Sequence, residues 1–197
     1  MMVWSKVVRY AGLSTFLACG MLATLAQPAA AQLIERSHEH IVDTIADDEI
    51  CGIPVTTTID IIANSQERLS RSGFPLFMGT GRGTVTWTNP ENGQTVTNRF
   101  AGVSFKDLTA TDNGDGTITL RTAITGIPEQ VRLSDGTIAI QDVGRVVFVN
   151  VIDYAGTPTN TDDDVFISGY VESVSGPHPE LESDFTLFCP TIEAALT

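Results

Sequence analysis

Ile53-Pro54-Val55-Thr56-Thr57-Thr58-Ile59-Asp60-Ile61 decides how the rest of this chain is read. Ile53, Val55, Thr57, Ile59 and Ile61 alternate with polar or smaller residues. A period of two marks a half-buried strand, because successive side chains of an extended backbone point to opposite faces. Downstream, β-rich runs and turn signals keep alternating. Phe74 to Met78 contains Pro75 and reads as an edge or bulged strand. Thr84-Val85-Thr86-Trp87-Thr88 is a strand, and Asn89-Pro90-Glu91-Asn92-Gly93 is the turn after it. Thr95 to Leu108 is a long strand kinked near Gly102, and Thr117 to Thr125 sets Ile118, Leu120 and Ile124 on one face.

Thr137 to Ile140 forms a further strand, and Arg145 to Tyr154 is the most apolar run after the first 31 residues. Val146, Val147, Phe148, Val149, Val151 and Ile152 predict a strand covered on both faces or lying at a barrel seam. Val165 to Val174 is another strand. Asn64 to Gly73 reads as a bend or short outer strand, Gly176 to Glu182 as a loop, and Phe185 to Leu196 as a short closing segment. No helical period is visible after residue 50. The expectation is an all-β domain over 51–197: a single up-and-down β-barrel of the lipocalin-like kind, with a β-sandwich as the alternative.

Residues 32–50 are polar and acidic, and predict a lead-in segment with a helical turn or a first edge strand. Ahead of them, 1–31 has the layout of a secretory signal peptide. Lys6 and Arg9 precede an apolar run from Tyr10 to Ala26, and Ala29-Ala30-Ala31 follows Pro28. The mature chain is expected to begin near Gln32 and to be secreted, into the medium or the cell envelope. Cys19 after Phe16-Leu17-Ala18 is a weaker match to a lipid-attachment site. The apolar run is too short and alanine-rich for a stable span, so no membrane insertion is expected after cleavage.

The net charge of −13 becomes −15 once Lys6 and Arg9 leave. Such a balance repels phosphate backbones and anionic lipid heads, which excludes nucleic acid as a partner. Cys51 and Cys189 remain after cleavage. An even pair in an oxidising compartment predicts a disulfide.

Chemistry-bearing motifs are few. Asp112-Asn113-Gly114-Asp115-Gly116 has the oxygens of a calcium loop, but the twelfth position, where a bidentate Glu belongs, is Ala123. A hairpin turn is the better reading. Asp162-Asp163-Asp164 with Asp153 reads as a solvated loop rather than a cation site. His38 and His40 share a face if extended, with His178 as the only third imidazole, and a polar segment is preferred over a metal site. Trp87 suits the core as well as a surface platform, and Arg82 and Arg99 read as solvated. The chain has no Gly-x-Ser-x-Gly elbow, His-Glu-x-x-His or phosphate-cradling loop, so no catalytic residue and no cofactor is assigned.

Cys51-Gly52-Ile53-Pro54-Val55, Thr88 through Thr97, Asp115-Gly116-Thr117 and a late Cys189 together resemble a group of small, uncharacterised secreted proteins of high-GC Gram-positive bacteria. Phe188-Cys189-Pro190 departs from that group, where an Asp-Cys pair is commoner. The resemblance implies a secreted β-fold with one disulfide and carries no activity. The functional expectation is a secreted, non-catalytic binding or interaction module. The alternatives are a carrier holding a small apolar ligand in a barrel cavity and a secreted hydrolase using two carboxylates.

Overall fold

The computed structural model describes residues 33–197; the signal-peptide expectation for 1–31 lies outside the described residues. Seven strands follow in chain order: β1 (Leu33–Ile50), β2 (Ile53–Leu69), β3 (Pro75–Thr88), β4 (Thr95–Asp112), β5 (Thr117–Leu133), β6 (Ile138–Asp153) and β7 (Val165–Ser175). They form one antiparallel sheet whose spatial order is the chain order. The fold is all-β, in a single sheet rather than the two packed sheets of a sandwich. Among the described residues no ladder joins β7 to β1, so the closure expected of a barrel is not seen. The two outer strands are chemically mismatched: β1 is rich in charge and β7 is apolar.

The alternation read around Ile53–Ile61 is realised in β2. Val55, Thr57, Ile59 and Ile61 are buried, while Thr58 and Asp60 are exposed. Register carries the buried face across the sheet. Thr57 lies opposite Trp87, Trp87 opposite Val96, Asn98 opposite Val131, and Val131 opposite Ile140. Each fully buried valine there, such as Val96 or Val131, contributes about 1.5–3 kcal/mol. Hairpins form at the turn signals: Gly93 takes φ +72° between β3 and β4, and Asp112–Gly116 joins β4 to β5. β6 buries Val146 and Val147 side by side, as expected of a strand covered on both faces.

Two local expectations are made specific and two are corrected. Residues 33–50, expected to hold a helical turn or a first edge strand, form a full edge strand, and the start of the stretch read as a bend or short outer strand continues β2 as far as Leu69. Two helices stand where a loop and a closing segment were expected: α1 (Pro179–Glu182) and α2 (Phe188–Leu196). Pro179 opens α1 and Pro190 sits in the first turn of α2, where a missing N–H costs little. Helix α2 has too few turns to show a period in sequence. It is amphipathic all the same, for Ile192 and Leu196 are completely buried in the core.

Three contacts hold α2 on the sheet. Cys51 and Cys189 form the expected disulfide, with Cα atoms 5.3 Å apart. The Phe188 ring meets Trp87 edge-on at 5.9 Å, which places Trp87 in the core. The Asn89 and Asn92 amides in the β3–β4 turn donate to the Leu196 carbonyl at 2.9 and 2.8 Å. These bonds satisfy a carbonyl that the end of a helix leaves without an internal donor.

Candidate functional site

A buried acid cluster lies where α1 covers the sheet. Glu129 on β5 and Asp142 on β6 are register partners on the face that holds Val131 and Ile140. Asn98 donates to Glu129 Oε1 at 3.2 Å. The chain leaving β7 closes over them: the Glu180 N–H donates to Asp142 Oδ1 at 3.3 Å, and His178 Nδ1 lies 3.9 Å from Asp142 Oδ2. Glu180 is 1% exposed and His178 2%. His178 Nε2 and both Glu180 carboxyl oxygens have no hydrogen-bond partner among the described residues.

Burial, with the nearby charges of Asp142 and Glu180, pushes the Glu129 carboxyl up to about 7. Asp142 is raised by burial, partly offset by the Glu180 N–H and by His178. Glu180 is raised by burial and by Asp142. Sequence reading missed this cluster because its members are scattered. The available signal was a carboxylate on the apolar face of a strand, at Glu129 and again at Asp142. A carboxylate hydrolase would need two acids facing an open cleft, whereas His178 and Glu180 close over this pair, and neither Glu129 nor Asp142 lines either of two open grooves, of which one lies against α2 at Leu187, Thr191 and Ala195.

The other groove, of about 560 Å³, lies at the opposite ends of β2–β4. Leu69, Leu76, Phe77, Met78 and Leu108 give it an apolar lining. Asp107 at its margin accepts from the Phe77 N–H at 2.8 Å and the Thr122 hydroxyl at 2.7 Å, and burial raises its pKa.

The motifs singled out in the sequence do not converge. His38 and His40 do share a face of β1, where they meet Asn64 at 2.7 Å and Asp60 at 2.9 Å on β2. His178 is instead buried beside Asp142 on β6. Asp112 and Asp115 brace their hairpin by accepting from Gly114 and Thr117. Asp163 accepts from the Thr157 hydroxyl, and the charges of Asp163 and Asp153, after burial, raise Asp164. Arg82 and Arg99 are exposed. Among the described residues no group of three or more His, Cys, Asp or Glu is arranged to hold a metal ion, and no helix is long and apolar enough to cross a membrane.

The sheet's two edges differ sharply. Edge strands present unpaired backbone N–H and C=O groups, which proteins guard with charge, proline or bulges. β1 carries Glu35, Arg36, Glu39, Asp43, Asp47, Asp48 and Glu49, with two register shifts against β2. β7 is exposed along its whole length, with Phe166 and Tyr170 both at 64% and Val165 and Ile167 both at 55%. Bulges interrupt its ladder to β6, yet it has no lysine and no proline. Its single charge, Glu172, is paired with Arg121 of β5 through both guanidinium contacts. Compared with protein-family models, with curated proteins and with solved structures, the chain matches none.

Proposed function

We propose that this protein is exported and non-catalytic, and acts in the medium or cell envelope as an interaction module that engages an extended partner along β7. One observation carries the reading: β7 is a largely apolar edge, its one charge paired with Arg121, left exposed in a chain that guards its other edge with charge. An added strand would satisfy the outer backbone groups and cover side chains on alternate faces. The signal-like 1–31 segment, the cystine and the resemblance to small secreted β-proteins support export. We read the seven-strand meander as an incomplete barrel rolled around the face that α2 covers.

Fluorescence polarisation with synthetic extended peptides of alternating apolar residues tests the edge. Binding by the wild type and its loss in Val171→Lys is the expected result. Turnover of a peptide, ester or glycoside substrate that disappears in Glu129→Gln would overturn the non-catalytic reading. The groove lined by Leu69, Leu76, Phe77, Met78 and Leu108 favours one second reading, the capture of a small apolar ligand. Thermal-shift titration with fatty acids, compared between wild type and Met78→Lys, separates the two.

A further inference from the structure

Resting on the reading of β7 as an interaction edge, we propose that its occupant is β7 of a second copy, paired antiparallel about a two-fold axis. Charge selects the edge at which two copies can meet. The chain carries −13 overall and lines β1 with acids, so two copies repel over most of their surfaces. At β7 that repulsion is cancelled within each molecule, because Arg121 neutralises the strand's only charge. Symmetry selects the geometry. A β7-to-β7 contact uses the same edge twice and closes after one step, whereas β7 against β1 of the next molecule would propagate as an open filament. The acids and register shifts of β1 oppose that second arrangement.

The exposed area limits such a dimer to a weak one. Val165, Phe166, Ile167, Tyr170, Val171 and Val174 are exposed by 37–64%. With aromatic side chains presenting about 150–250 Å² each, these six offer on the order of 600 Å² per copy. Covering both sets in full would give about 1,200 Å² in total, the lower bound of specific interfaces, and edge pairing covers less because side chains on both faces stay partly open. The dimer is therefore concentration-dependent rather than obligate, two seven-stranded sheets continuing as one.

Sedimentation velocity on the cystine-containing protein, from low micromolar to near-millimolar concentration, tests this directly. Wild type is expected to shift from monomer to dimer, and added salt to tighten the dimer by screening acidic repulsion. Val171→Lys and Tyr170→Lys alter exposed positions and are expected to weaken association by roughly tenfold or more, with unchanged circular dichroism and melting. Val42→Lys, on the exposed side of β1, is expected to leave it unchanged. A wild type monomeric throughout, a dimer indifferent to both β7 variants, or a dimer broken only by Val42→Lys overturns the proposal. A monomer that still binds extended peptides, and loses them in Val171→Lys, removes the second copy but keeps β7 as an interaction edge. Failure of both assays removes both.

Discussion

Replacing Glu129 by Gln should stabilise the protein at neutral pH. The Glu129 carboxyl ionises near 7 in the folded chain, against 4.5 for an ordinary glutamate, chiefly because it is buried and then because Asp142 and Glu180 are close. The native state therefore holds this proton more tightly than the unfolded chain does. The stability so conferred is complete below about pH 4.5 and is lost as pH rises through about 7. The loss amounts to about 3 kcal/mol, at 1.36 kcal/mol for each decade between the two values. Against a typical total of roughly 5–15 kcal/mol, that is a large fraction. Asp142 and Glu180 are raised in the same direction and steepen the decline. Asp115 and Asp135 are lowered by hydrogen bonds from Thr117 and Thr137, so their contribution disappears only in more acidic solution. Glutamine cannot ionise, and its amide oxygen can still accept from Asn98. Urea unfolding followed by Trp87 fluorescence, stepped from about pH 4.5 to 8, should show near-equal stabilities at the acid end and an advantage of up to about 3 kcal/mol for Glu129→Gln at the other. Parallel profiles for the two proteins, or a variant weaker than wild type near pH 8, would refute the assignment of a buried, proton-holding carboxyl.

Further perturbations probe how α2 is held and how the sheet is shaped. Cys51→Ser with Cys189→Ser removes a link between residues 138 apart, and should cost up to about 5 kcal/mol in guanidinium unfolding, with α2 becoming the first site of proteolysis. Trp87→Ala empties the space beneath Phe188 and should cost about 3–5 kcal/mol, read as a lowered melting temperature. Gly144 adopts φ +128°, and a Cβ there would collide with the Ser175 carbonyl where β7 leaves the sheet. Gly144→Ala should therefore destabilise by about 2–4 kcal/mol in the same assay, with the loss of order starting in β7 and α1.

Local patterns were legible; distant closures were not. Asn92-Gly93 and Asp115-Gly116 announce their hairpins because the required backbone shape is written in the residues that adopt it. The alternation at Val55, Thr57, Ile59 and Ile61 likewise predicts which side chains are buried. β1 was harder to read because an edge strand needs no apolar stripe, and its pairing from Ile50–Ile53 out to Leu33–Arg68 is set by β2. Helix α2 was hidden for a related reason: Phe188, Ile192 and Leu196 acquire meaning only against Trp87 and the core. The acid cluster is least visible of all, since Asn98, Glu129, Asp142, His178 and Glu180 meet only after β4, β5, β6 and the segment beyond β7 are assembled.

The same contrast between local and distant structure gives the β7 edge its weight. A meander finds each neighbour through the preceding turn, so every strand from β1 to β6 gains its next partner from the chain that follows. At β7 that supply ends: the chain turns away through Gly176 into α1 and α2, which cover the sheet's face instead of its edge. Tying Cys189 to Cys51 commits the C-terminal segment to that face. The outer hydrogen-bonding groups of β7 must then meet either solvent or another strand. Solvent favours charged and polar side chains, as at β1, whereas Val165, Phe166, Ile167, Tyr170, Val171 and Val174 are the composition of a strand that is covered.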